Sequence, residues 1–121
     1  MRLIRVFVAV TLFIALQGTS AVAVTAASCQ FVLGFASLDA MIPSIVGNCL
    51  DSEHFNTANG DSLQDTTGLG GTATGLLVWR KADNWTAFTD GYHTWINGPF
   101  SMESRFNTQR FQWEPDASSF Q

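Results

Sequence analysis

Eight side chains between positions 79 and 95 carry most of the binding chemistry of this sequence: Trp79, Arg80, Asp83, Asn84, Trp85, Asp90, Tyr92 and Trp95. They lie in "GLLVWRKADNWTAFTDGYHTWING", residues 75 to 98, which packs three of the four tryptophans and the only tyrosine into twenty-four positions. An indole or phenol ring offers a flat apolar face to a sugar or an apolar side chain, and interleaved charged and amide groups exchange hydrogen bonds with hydroxyls. These eight are the candidate ligand-binding residues. Tryptophan in a small sheet also serves as core, because such a domain needs large apolar side chains to offset the entropy of ordering its chain. The pattern therefore predicts shared use, with at least half of the aromatics facing inward and the rest forming a gripping surface.

General acid–base chemistry would have to come from Glu53, His54 and Asp61, or from Asp90 with His93. No nucleophile motif accompanies them, since the chain contains neither G-x-S-x-G nor H-E-x-x-H. Cys29 and Cys49 lack C-x-x-C spacing and the two histidines are far apart, so no zinc ligand set forms. Asp51, Glu53, His54, Asp61 and Asp65 do not follow the spacing of a calcium loop. Neither a metal nor a cofactor is expected, and the chain is read as non-catalytic.

The elements that would position the eight residues follow from periodicity. Leu76 to Arg80, Trp85 to Thr89 and Tyr92 to Ile96 are rich in aromatic and β-branched residues and are separated by polar turns, which predicts a three-stranded antiparallel meander. Asp90-Gly91 predicts a two-residue type I′ hairpin, with Thr89 opposite Tyr92 and Phe88 opposite His93. A four-residue first turn would set Leu77 opposite Phe88 and Trp79 opposite Thr86. One face then carries Leu77, Trp79, Phe88, His93 and Trp95, and the other carries Leu76, Val78, Arg80, Trp85, Ala87, Tyr92, Thr94 and Ile96. Edge strands bearing Val78, Thr94 and Ile96 would permit pairing with another chain.

Upstream, Leu38, Met41, Ile42, Ile45 and Val46 recur at intervals of three and four, which predicts one short helix, with Ser37 capping its start and Pro43 ending or kinking it. Residues 51 to 75 are polar, hold five of the ten glycines and contain an Asn59-Gly60 turn, so they are read as loop. Phe106, Phe111 and Trp113 alternate with polar residues in a last strand or an extended strap. The expected fold is α+β: one short amino-terminal helix packed on a small antiparallel meander, with one disulfide.

The compartment is read from the amino terminus. Arg2 and Arg5 precede an uncharged apolar run from Val6 to Leu16, followed by small residues, which is the layout of a secretory signal peptide. Eleven residues are too few to span a bilayer core, which needs about 20, so no integral span is expected after cleavage. The expected organisation is a signal peptide over 1–28, a single small domain over 29–114 and a disordered tail over 115–121. Without its leader the chain keeps four cations, Arg80, Lys81, Arg105 and Arg110, against ten carboxylates, a formal net charge of −6. That balance disfavours nucleic acid and anionic lipid as partners. Export also favours a Cys29–Cys49 bridge, and the alternative is a lipid anchor on Cys29.

The stretch "GLLVWRKADNWTAFTDGYHTWINGP", followed by "RFNTQRFQWE" and preceded by "FVLGF", "IPSIVGNCL" and "NGDSLQ", resembles a group of small secreted bacterial proteins and modules attached to larger exported proteins. The resemblance spans Cys29 to Glu114 and implies export without implying a particular activity. This chain departs from the pattern in a longer run between Thr67 and Leu76 and in His93, where arginine is commoner. A shorter likeness, Gly47, Glu53, Gln64, Gly75 and Trp79, is similar to LGFP-type cell-wall repeats and implies attachment to the envelope. The reading is a secreted or cell-envelope module that binds a cell-wall or other glycan polymer, or a secreted protein partner, through its aromatic-rich sheet. The alternatives are a self-assembling or inhibitor-like secreted protein and, last, a small hydrolase.

Overall fold

A computed structural model of the chain describes residues 28–71 and 73–114. The expected signal segment, apart from Ser28, and the expected tail over 115–121 lie outside the described residues. Two helices, α1 (Leu33–Met41) and α2 (Pro43–Val46), precede six strands, β1 (His54–Phe55), β2 (Ser62–Thr66), β3 (Gly75–Arg80), β4 (Trp85–Thr89), β5 (His93–Gly98) and β6 (Ser101–Phe106). The strands form one antiparallel sheet in sequence order. The fold is α+β, as the periodicities predict, with helices on one face of a meander and a Cys29–Cys49 disulfide.

The single expected helix is two. Ile42 adopts φ −136° and ψ 50°, outside the helical region, because the proline that follows clashes with a helical residue before it. Pro43 then opens α2, where its missing N–H costs nothing. Ser37 does not cap the start: Val32 holds the cap position, and the Ser37 hydroxyl donates to the Leu33 carbonyl one turn back at 3.2 Å. The helix begins earlier than its capping signal because Phe35 is needed in the core. Phe35, Leu38, Ile42 and Val46 are buried against Leu77 and Phe88 of the sheet, while Met41 is exposed.

The polar stretch expected as loop contains β1 and β2, joined through Asn59-Gly60 with Gly60 at φ +80°. Its strand character is masked because the inward residues of β2 are polar: Ser62, Gln64 and Thr66 are all buried. Main-chain carbonyls partner Thr66 and the amide nitrogen of Gln64, whereas Gln64 Oε1, like the Ser62 hydroxyl, is buried without a partner among the described residues. Gln64 Nε2 donates to the carbonyls of Gln30 and Asp51, each at 3.0 Å, and Thr66 Oγ1 donates to the Val46 carbonyl at 2.6 Å. Gly75 faces Thr66 in the next strand, where a β-carbon would stand 2.1 Å from the threonine hydroxyl and 2.7 Å from the Phe88 ring. Only glycine fits there.

The β3–β4 register is the expected one, with Leu77 opposite Phe88 and Trp79 opposite Thr86. Between β4 and β5 the pairing differs by two residues: Phe88 faces Trp95, and Thr89 faces Thr94. The turn is wider than type I′ because the Asp90 carboxylate accepts from the amides of Tyr92 and His93, at 2.8 and 2.7 Å, and of this turn only Gly91 takes positive φ. A two-residue slip keeps every side chain on its face. It places the Phe88 and Trp95 rings 5.6 Å apart, a favourable tilted pair. The expected edges are corrected: Val78, Thr94 and Ile96 are buried on internal strands, and β1 and β6 form the borders.

Residues 107–114 fold back across the face opposite the helices. Trp113 meets Trp85 edge-on at 4.8 Å and stacks on Phe111 at 5.2 Å, and its Nε1–H donates to Glu103 at 3.0 Å. Arg105 and Glu114 make a buried bidentate ion pair that closes this strap. At the other end, the disulfide links the residues ahead of α1 to the segment that pairs with the edge of β2 at Thr66. The bridge occupies the Cys29 sulfur that a lipid anchor would require. No helix among the described residues is long and apolar enough to cross a membrane.

Candidate binding groove

The helical face of the sheet extends beyond α1, and the uncovered part forms a groove of about 550 Å³ between the start of α1, β1 and the ends of β3, β4 and β5. Gly34 sets how closely the helix approaches, since a β-carbon there would lie 2.5 Å from Thr86 Oγ1. Trp79 supplies an aromatic wall. Its Nε1–H donates to Asn84 Oδ1 at 2.7 Å, and Asn84 sits at φ +61°, a left-handed conformation that asparagine tolerates better than most residues. The turn residue therefore fixes the indole plane.

Polar side chains line the same groove. Ser62 is 1 % exposed and its hydroxyl has no hydrogen-bond partner among the described residues, which is unusual for a buried group and costs about 1–3 kcal/mol. Asn97 and Glu53 line the same groove, and neither side chain has a hydrogen-bond partner among the described residues. The rim is apolar. Leu33 is 86 % exposed and Phe55 68 % exposed, and Leu33 holds φ +48°, a strained conformation for a side chain of its size.

The structure separates the eight sequence candidates. Trp79 and Asn84 lie in the groove. Trp95 shares their face but is packed between Phe88 and His93. Arg80 and Trp85 lie on the opposite face, where the guanidinium sits 5.8 Å from the Trp85 ring centre and pairs with Asp83 at 3.0 Å. Asp90 and Tyr92 stand at the β4–β5 turn; Tyr92 is exposed, and Asp90 is committed to its turn amides and to His93 Nδ1 at 3.3 Å. Burial pushes the Asp90 carboxyl upward, but the amides of His93 and Tyr92 and the His93 ring outweigh it and hold the group below the usual carboxylate range.

The acid–base candidates are likewise dispersed. Asp51 accepts from the Asp65 amide at 2.7 Å and lies 3.3 Å from His54 Nδ1. Asp61 accepts from the Lys81 amide at 3.0 Å and ties the β1–β2 turn to the β3–β4 turn. Glu53 alone reaches the groove. Among the described residues no group of three or more His, Cys, Asp or Glu is placed to hold a metal ion. A wider hollow of about 870 Å³ lies over the disulfide and contains Phe31 and Asp39 but no tryptophan.

Sequence reasoning missed Leu33, Phe55, Ser62 and Asn97. A signal existed for two of them, since Phe55 is the lone aromatic in a polar stretch and the Asn-Gly turn pairs its strand with the one that begins at Ser62. Comparison of the chain with protein-family models, with curated proteins and with solved structures returns no match.

Proposed function

We propose that this chain is a non-catalytic extracytoplasmic module that holds a glycan or cell-wall polymer in the groove beside Trp79. The observation that carries the reading is an indole locked by Asn84 in the same groove as a buried Ser62 hydroxyl that has no partner among the described residues, because sugars are gripped by one flat apolar face and a few fixed polar groups. Among the described residues Glu53 is the one ionisable side chain in the groove lining, which supports binding over acid–base chemistry. The charged-then-apolar amino terminus and the disulfide support an extracytoplasmic setting. Retention on purified peptidoglycan and on insoluble polysaccharides tests the reading. Wild type and Trp85→Ala are expected in the pellet and Trp79→Ala in the supernatant, whereas wild type unretained on every polymer overturns it.

A second reading, self-assembly, draws support from β6. This six-residue border strand is flanked by exposed Phe100 and carries exposed Phe106. Light scattering separates the two readings: a dimer abolished by Ser104→Pro favours assembly, and a monomer at all concentrations removes it.

A further inference from the structure

We infer that the Trp79 groove is built for a 2-acetamido sugar, an N-acetylated hexosamine unit of a polymer, in preference to a plain hexose or an anionic sugar. This deepens the binding reading above and rests on it. Three features of the groove choose among sugars. The first is charge: Glu53 is the ionisable lining residue and the whole chain is acidic, with a formal net charge of −4, so uronic acids and phosphate-bearing sugars are repelled. The second is the neutral polar set. Ser62 offers a buried hydroxyl able to donate and accept, and Asn97 offers an amide with both functions, which together match the C=O and N–H of an acetamido group.

The third feature is the apolar rim. A plain hexose bears hydroxyls around its ring and has little use for exposed Leu33, Val32 and Phe55, whereas an acetamido methyl needs an apolar surface to leave water. Leu33 is held outward by a left-handed backbone at the first residue of α1, so the fold bears strain to keep that apolar side chain at the groove mouth. Stacking on Trp79 orients the ring, and the acetamido group then lies between the Ser62 hydroxyl and the rim.

The orphaned hydroxyl makes this testable apart from structural effects. A serine kept for the fold would lower stability when removed. Ser62 has no partner to lose among the described residues, so Ser62→Ala is expected to leave the urea midpoint unchanged or raised while weakening tetraacetyl-chitotetraose binding about fivefold. The experiment titrates the full exported protein with tetraacetyl-chitotetraose, cellotetraose and the glucosamine tetramer, following the indole N–H resonance of Trp79 by NMR. Expected is binding of the acetylated tetramer at least about tenfold tighter than the other two. Trp85→Ala, on the opposite face, should leave it unchanged, and Asn84→Gly, which keeps the backbone conformation, should weaken it. Equal binding of all three tetramers overturns the acetamido inference and leaves the glycan reading standing, as does retention on insoluble polymers with no tetramer bound. Absence of both tetramer binding and retention overturns both. A lowered urea midpoint in Ser62→Ala, with unchanged affinity, also overturns the inference.

Discussion

The indole Nε1–H of Trp79 donates to Asn84 Oδ1 over 2.7 Å, so the residue that closes the β3–β4 turn also sets the orientation of the groove's aromatic wall. Two substitutions separate these duties. Asn84→Gly keeps the φ of +61° and removes the acceptor, and should cost about 1 kcal/mol. Asn84→Ala removes the acceptor and adds backbone strain, and should cost about 2 kcal/mol. Urea denaturation ranks them; equal losses would show that the turn conformation carries no strain.

Arg105 and Glu114 are buried at 5 % and 0 % side-chain exposure, and they hold the strap over the second face of the sheet. Removing one partner strands the other charge, so Glu114→Gln or Arg105→Met should destabilise by about 3 kcal/mol. Glu103→Gln, which leaves Trp113 Nε1 a neutral acceptor, should cost less than about 1 kcal/mol. Thermal unfolding of the three variants checks the order.

Acid should release the same strap. Burial pushes the Glu114 carboxyl upward, but the Arg105 hydrogen bonds, the Phe111 amide and the charges of Arg105 and Arg110 outweigh it, leaving the group below the ordinary glutamate range. A group depressed in the folded state contributes fully above its unfolded pKa, about 4.3, and that contribution is lost as the pH falls through the lower folded value. Asp90, also depressed, acts in the same direction. Asp39, pushed up by burial, acts in the opposite sense, but with two depressed carboxylates against it stability should still fall below about pH 4. Loss already between pH 7 and pH 6 would overturn the assignment to these carboxylates.

The Cys29–Cys49 bridge closes a separation of 20 residues around both helices. Reduction, or Cys29→Ser with Cys49→Ser, should destabilise by about 3 kcal/mol in the chain-entropy picture. For a domain of this size that lowers Tm on the order of 15 °C. Calorimetry with and without reductant measures it, and an unchanged Tm would show that the amino-terminal segment is held by packing alone.

Local rules made much of this molecule readable in advance. Alternation of aromatic and β-branched residues marked β3, β4 and β5, their two faces, and the pairing of Leu77 with Phe88. Cysteine usage behind an export-like leader indicated the bridge, and intervals of three and four located the helical segment with a break at Pro43. Each rests on interactions close along the chain or on the fixed two-residue period of a strand.

Long-range partners decided the rest. β2 has no apolar alternation, and its buried Gln64 and Thr66 are stable only because the carbonyls of Gln30, Asp51 and Val46 reach them from distant segments. The β4–β5 register depended on which amides the Asp90 carboxylate captured. The eight candidate residues looked like one surface in sequence, yet packing of α1 over one face and of Trp113 over the other left Trp79 and Asn84 in the groove and placed Arg80 and Trp85 behind it. Composition determined that an aromatic-rich sheet forms; which rings meet solvent was decided only when the chain chose what to lay across each face, because burial is a property of the whole packing and not of the residue.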